Sequence, residues 1–234
     1  MLTVYCKPIR RWLGQKAAHV GRYCVNELFP TVCAVCGKAG AGLCIDCFPA
    51  EPLTWQTSEH PLLANLPVYY LKEYANPVLR ELIGAAKYRG RPDVISSVIN
   101  RACGYLPITR QSVLVPVPLT RRHFAQRGYN QSAYLASALA ERQRCQADVR
   151  VLRRPILGAS HAVGASRVMR LRAHPMRVSP RCKPTHKDVY VVDDVITTGG
   201  TTRDAVVALR AAGWVVRGVV VVLRTVLVGA PRQR

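Results

Sequence analysis

The 234-residue sequence predicts an α/β fold: a parallel sheet flanked by helices, preceded by a small cysteine-rich knuckle. Three observations predict it. Residues 188–192 and 214–223 are nearly unbroken β-branched apolar runs, as in strands buried on both faces, rather than runs alternating with polar residues. Segments with helical spacing lie between such runs, which places helices in the crossovers of a parallel sheet. Two CxxC pairs sit close together ahead of a proline-containing connector.

In chain order, residues 12–29 predict one amphipathic helix ending at Pro30, and the cysteine-rich segment 33–47 follows. The polar connector 49–61 is the best boundary in the chain. The expected organisation is therefore a helical region over 1–30, a knuckle over 31–52 and a larger domain over 62–234, without internal repeats. Residues 68–71 predict a short strand. Residues 77–88 predict a helix carrying Val78, Leu82, Ala85 and Ala86 on one face, and 93–105 predict another. The apolar run 112–117 is stopped by Pro116 and Pro118. Tyr134, Leu135, Ala138 and Leu139 mark a helix over 129–144. A short strand over 149–152, the strand 188–192, a helix over 201–212 and the strand 214–223 complete the series. One segment breaks the rhythm: 149–187 carries ten basic residues and no acid, and part of it predicts a mobile loop.

Composition narrows the function. Hydrophobic residues at 49% and charged residues at 20% are enough for a folded core and exclude wholesale disorder. The 34 Lys and Arg against 13 Asp and Glu give a net charge of +21. The natural partners of such a surface are polyanions: nucleic acid, phosphorylated metabolites or anionic headgroups. The longest apolar stretch, 213–230, is broken by Arg217 and Arg224 and reads as strand rather than membrane span. The first residues lack a continuous apolar stretch, so no secretory leader is expected. Paired cysteines without an export signal point to reduced thiols, and the expected location is cytoplasmic.

Cys33, Cys36, Cys44 and Cys47 form CxxC-x7-CxxC. Each CxxC turn can place two thiolates on one tetrahedral ion, and two turns complete the set that structural Zn²⁺ prefers. A dithiol redox pair is the alternative, weakened by the presence of two pairs so close together. The short loop between them predicts a closed, structural site. Cys6, Cys24, Cys103, Cys145 and Cys182 show no ligand spacing, and neither His123 nor His161 has an obvious partner.

The most informative stretch runs from Val189 to Thr202, VYVVDDVITTGGTT. A hydrophobic strand delivers Asp193 and Asp194 at its carboxyl end, and a Thr/Gly loop leads into a helix. Ligands of open α/β sheets bind at the carboxyl ends of strands, and a helix start offers unpaired N–H groups to a phosphate. Thr197, Thr198, Thr201 and Thr202 add hydroxyls, while Gly199 and Gly200 clear space for close backbone approach. The two carboxylates suit ribose hydroxyls or a Mg²⁺ carried by the ligand. Neither GxxxxGK[ST] nor GxGxxG is present. Asp204 reads as a partner of the helix dipole.

Residues 193–202 resemble the phosphoribosyl pyrophosphate (PRPP) motif of type I phosphoribosyltransferases. Leu28-Phe-Pro, Lys87-Tyr-Arg-Gly90, Val115-Pro-Val-Pro118 and Arg127-Gly-Tyr-Asn-Gln131 occur in the order of the ComF/GntX family of competence-associated proteins, and the resemblance spans nearly the whole chain. It implies a type I phosphoribosyltransferase-like domain behind a zinc knuckle. Asp193 and Asp194 would hold the ribose hydroxyls, residues 197–201 (with Gly199 and Gly200) the 5′-phosphate, and the loop after Val115 the pyrophosphate. The chain departs from the family at Arg170-Leu-Arg-Ala173, where Ala173 replaces an expected Asn.

Lys87, Arg121, Arg122 and Arg127 are candidates to grip pyrophosphate or a phosphodiester backbone, with Tyr88, Phe124 and Tyr129 as possible stacking partners for bases. Two readings follow. In one, the protein binds PRPP-type ligands and assists uptake of single-stranded DNA, with competence helicase or channel proteins as candidate partners and the inner membrane face as a candidate location. In the other, it is an enzyme that transfers phosphoribosyl from Mg²⁺–PRPP to a nitrogen nucleophile.

Overall fold

The computed structural model describes residues 32–40, 42–48, 51–63, 65–154, 176–185 and 187–226. The expected helix over 12–29 lies outside the described residues, as does 155–175 of the basic segment, including Arg170 and Ala173. The chain divides into two compact units, Met1–Cys47 and Phe48–Arg234.

The second unit holds a mixed, mostly parallel sheet. Its strands are β1 (Gln56–Ser58), β2 (Val68–Tyr70), β3 (Lys72–Glu73), β4 (Val113–Pro116), β5 (Gln146–Ala147), β8 (Val189–Ile196) and β9 (Val216–Arg224). The order is β1-β2-β9-β8-β4-β5, with β3 also pairing with β9. Only β1 runs antiparallel, against β2. It comes from the polar connector, which the sequence does not mark as strand. A separate two-stranded sheet joins β6 (Leu152–Arg153) to β7 (Arg177–Val178).

Among the described residues five α-helices accompany this sheet: α1 (Pro77–Tyr88), α2 (Asp93–Arg101), α3 (Arg121–Arg127), α4 (Gln131–Gln143) and α5 (Gly200–Ala211). One face of the sheet presents Val113, Val115, Val189, Val191, Val219 and Val221 to Ala205, Val206 and Leu209 of α5. Helix α4 packs on β4, β5 and β8, with α2 and then α1 beside it. Leu82, Ile95, Ile99, Leu135 and Leu139 are buried in that layer. Helix cover on both faces explains the unbroken apolar character of β8 and β9.

Three expected boundaries move for local reasons. The helix expected over 93–105 ends at Arg101, because the chain turns extended at Ala102 and Cys103 pairs with the connector at Leu53 and Trp55. The helix expected over 129–144 is α4, starting two residues later because Asn130 caps it by accepting from the Ser132 amide; α3, which the sequence does not mark, precedes it and ends at Gly128, whose φ of +77° is costly for a side chain. Of the strand expected over 149–152 only Leu152 is in a strand, because Asp148 turns the chain by accepting from the Arg150 amide at 2.9 Å. Residues 146–147 then pair with β4, and 152–153 pair with β7.

Candidate functional site

Strand β8 runs on through the acidic pair to Ile196, beside the end of β4, with Val192 opposite Pro116. Alternation along the strand separates the two carboxylates. Asp193 is half-buried, and its Oδ1 accepts from Ser132 Oγ at 2.8 Å and from the Asp194 amide at 2.9 Å. Asp194 is buried and pairs through Oδ1 with Lys87 Nζ at 3.0 Å. Burial, followed by the charge of Asp194, pushes the Asp193 carboxyl up to about 7, while Ser132, the Asp194 amide and Lys87 partly offset this. A carboxyl so perturbed beside an ion-paired carboxylate marks a candidate functional site.

The loop beyond the strand exposes Thr197 and Thr198, then turns at Gly199 and begins α5 at Gly200. Gly199 has φ +76°, and no side chain caps the helix, so its first-turn amides lack a capping side chain beside the exposed Thr201. Thr202 is buried.

His60 sits against this loop, and the sequence does not single it out. It is 8% exposed, and a Cβ on Gly199 would lie 2.4 Å from its Cε1. The Leu62 amide donates to His60 Nδ1 at 3.3 Å, which leaves the proton on Nε2, 3.3 Å from the Thr197 carbonyl oxygen. The connector thus fixes the loop backbone through one imidazole. Its only sequence signal is a histidine just before Pro61.

Residues 127–132 brace the pair from the other side. Asn130 Nδ2 donates to the Val117 carbonyl at 2.9 Å, Gln131 Nε2 to the Ala86 carbonyl at 3.4 Å, and the Tyr129 hydroxyl also to Ala86. These bonds tie the ends of β4 and α1 to the helix that carries Ser132. Tyr129 is therefore half-buried and engaged, with its ring edge-on to Tyr134 at 5.5 Å. Arg127 donates to Gln131 Oε1 at 3.2 Å and lies over the Tyr88 ring at 5.3 Å. Arg121 and Arg122 are exposed on α3. Lys87 faces Asp194. Half-buried Arg154 belongs to the basic segment 149–187. Its Nε donates to the Pro118 carbonyl at 2.8 Å; burial lowers its pKa, against the opposing charges of Asp193 and Asp204.

In the first unit, Gly37 and Gly40 take positive φ, and the backbone folds back through Gly37 N–H to Cys33 O (2.9 Å) and Cys33 N–H to Lys38 O (2.8 Å). The four Sγ atoms of Cys33, Cys36, Cys44 and Cys47 lie within 4.8 Å of one another, with Cys36 and Cys44 3.6 Å apart. Tetrahedral Zn²⁺ with bonds of about 2.3 Å places sulfurs about 3.8 Å apart, so this set could hold a metal ion. Burial raises the Cys33 thiol, but the amides of Cys44, Cys36 and Val35 bring it down to about 6. Its hydrogen bond to Cys36 first of all pushes Cys47 up to about 12, so without metal the thiols share protons that an ion would displace. Among the described residues, no helix is long and apolar enough to cross a membrane.

No family model and no curated protein matches the chain. Solved structures similar to it include adenine phosphoribosyltransferase from Leishmania donovani, at 11% identity over 80% of this chain and 92% of that one, with a TM-score of 0.31. The Leishmania tarentolae enzyme is similar at 13% identity over 64% and 72%, with a TM-score of 0.29. The Trypanosoma brucei enzyme, solved with AMP, pyrophosphate and ribose-5-phosphate, is similar at 15% identity over 77% and 82%, with a TM-score of 0.29. These likenesses are distant.

Proposed function

We propose that the protein binds a PRPP-type ligand at the carboxyl end of β8. One observation carries the reading: two carboxylates of different character stand directly before a Thr/Gly loop that opens an uncapped helix. Asp193 and Asp194 would hold the ribose hydroxyls, with Mg²⁺ carried by the ligand at the same carboxylates. The loop 197–201 would hold the 5′-phosphate through amides and hydroxyls. The zinc is structural and is held by Cys33, Cys36, Cys44 and Cys47.

The chemistry open to such a site is displacement of pyrophosphate from C1 by a nitrogen nucleophile. The protein would contribute positioning and charge, with Arg121 and Arg122 near the leaving group. The resemblance to the ComF/GntX family and the charge of +21 support a cytoplasmic role in handling single-stranded DNA during uptake. The alternative, an enzyme of nucleotide metabolism, is favoured by the braced carboxylate pair, a geometry that a pure DNA-binding surface does not need.

Calorimetric titration of Mg²⁺–PRPP into wild type and Asp193→Ala/Asp194→Ala tests the site. The expected result is saturable binding that the variant loses; a wild type with no saturable heat would remove the phosphoribosyl reading.

A further inference from the structure

A second cluster lies apart from the carboxylates and the Thr/Gly loop and shares only Arg121 with the proposed site. Arg121, Arg153, Arg154 and Arg177 line one open cleft of about 550 Å³, and among the described residues its walls hold no carboxylate. Among the described residues Arg121, Arg153 and Arg177 have no ion-pair partner, whereas Arg89, Arg91, Arg150, Arg217 and Arg224 each meet an acid.

Two of the four are placed against their own interest. β6 and β7 are antiparallel, with Leu152 opposite Val178 and Arg153 opposite Arg177. Leu152 is buried and Val178 packs on the core, so strand alternation turns both arginines to the outer face. Like charges directly opposite on an antiparallel pair destabilise it. A local rule broken in this way is expected at functional or strained sites, and the group that would offset two facing guanidiniums is an anion.

The adjoining surface says which anion. A second cleft, of about 580 Å³, shares Pro118 and Arg121 with the first and is walled by Leu119, Phe124, Tyr134 and Val149. Phe124 is 53% exposed and Tyr134 44%. Each cleft falls within the range of about 300–1,000 Å³ usual for small-molecule sites. A row of guanidiniums running into an aromatic surface fits a molecule with phosphate at one end and a flat ring at the other. We infer that the joined clefts bind a nucleotide, its phosphate between Arg153 and Arg177 and its base against Phe124 and Tyr134. The inference does not rest on the carboxylate site: none of these residues belongs to the Asp193–Thr201 set.

The test uses 2′,3′-dideoxy-AMP, which lacks the ribose diol that Asp193 and Asp194 would hold. Equilibrium binding to the full chain is compared for this probe, for dideoxyadenosine, for inorganic pyrophosphate and for a single-stranded oligonucleotide. Dideoxy-AMP is expected to bind at least tenfold more tightly than dideoxyadenosine or pyrophosphate. Arg153→Ala/Arg177→Ala should weaken it at least tenfold while the thermal midpoint of the free protein stays level or rises, which a structural role for the arginines would not give. Phe124→Ala, an exposed change, should weaken dideoxy-AMP and leave pyrophosphate unaltered, and Asp193→Asn/Asp194→Asn should leave dideoxy-AMP binding intact. The inference is overturned if pyrophosphate binds as tightly as dideoxy-AMP, if the arginine variant binds like wild type, if Asp193→Asn/Asp194→Asn abolishes dideoxy-AMP binding, or if only the oligonucleotide binds. Failure of Mg²⁺–PRPP to bind would leave these results untouched.

Discussion

Gly199 is constrained twice, by a backbone at φ +76° and by the His60 ring that a Cβ would strike at 2.4 Å. Gly199→Ala should lower stability by about 1–3 kcal/mol in urea unfolding. In a His60→Ala background the clash disappears and only the left-handed backbone penalty of roughly 1–2 kcal/mol remains. The two substitutions should therefore be non-additive; a purely additive cycle would mean that the ring does not confine the loop. Asp193 gives a pH signature. Its native carboxyl titrates at about 7 against an ordinary 3.8, so between those values the native state binds more protons than the unfolded state. Its contribution to stability is thus complete below about pH 4 and lost as pH rises through 7. Relative to wild type, Asp193→Asn should gain stability across that window and level off above it; a difference independent of pH would contradict the buried, raised carboxyl.

At the scale of elements, the four-cysteine cluster proposed to hold zinc is the sharpest case. Metal analysis should return one zinc per chain, and chelation should unfold the region around residues 33–47; unchanged stability and metal content would contradict the assignment. The knuckle was legible because ligand spacing is local in sequence. β8, β9 and α5 were legible because a strand buried on both faces and a helix with one apolar stripe write their periods directly into the chain. β1 was not legible: Gln56, Thr57 and Ser58 are polar, and only pairing with β2 at the sheet edge makes them a strand. Helix α3 was not legible: none of its residues is buried, so it carries no apolar stripe. The site shows the same division. Asp193, Asp194 and the Thr/Gly loop are contiguous and readable. His60 and Ser132 lie 137 and 61 residues away from their partners and meet them only through the topology. Lys87 was readable as a cation but not as the partner of Asp194.

For the whole molecule, the dominant fact is the charge of +21. If the basic surface contacts a phosphodiester backbone, affinity for single-stranded DNA should fall log-linearly with salt, with a slope near −0.7 per phosphate contacted. Affinity insensitive to salt would remove backbone binding from the account. The central claim is narrower: the braced carboxylates, the Thr/Gly loop and the start of α5 form one phosphoribosyl cradle. The most direct measurement is an experimental structure of the full chain with saturating ribose-5-phosphate. The account predicts the phosphate on the amides and hydroxyls of residues 197–201, with the ribose hydroxyls on Asp193 and Asp194. Phosphate seated in the arginine cleft, with the carboxylates and loop left bare, would contradict it.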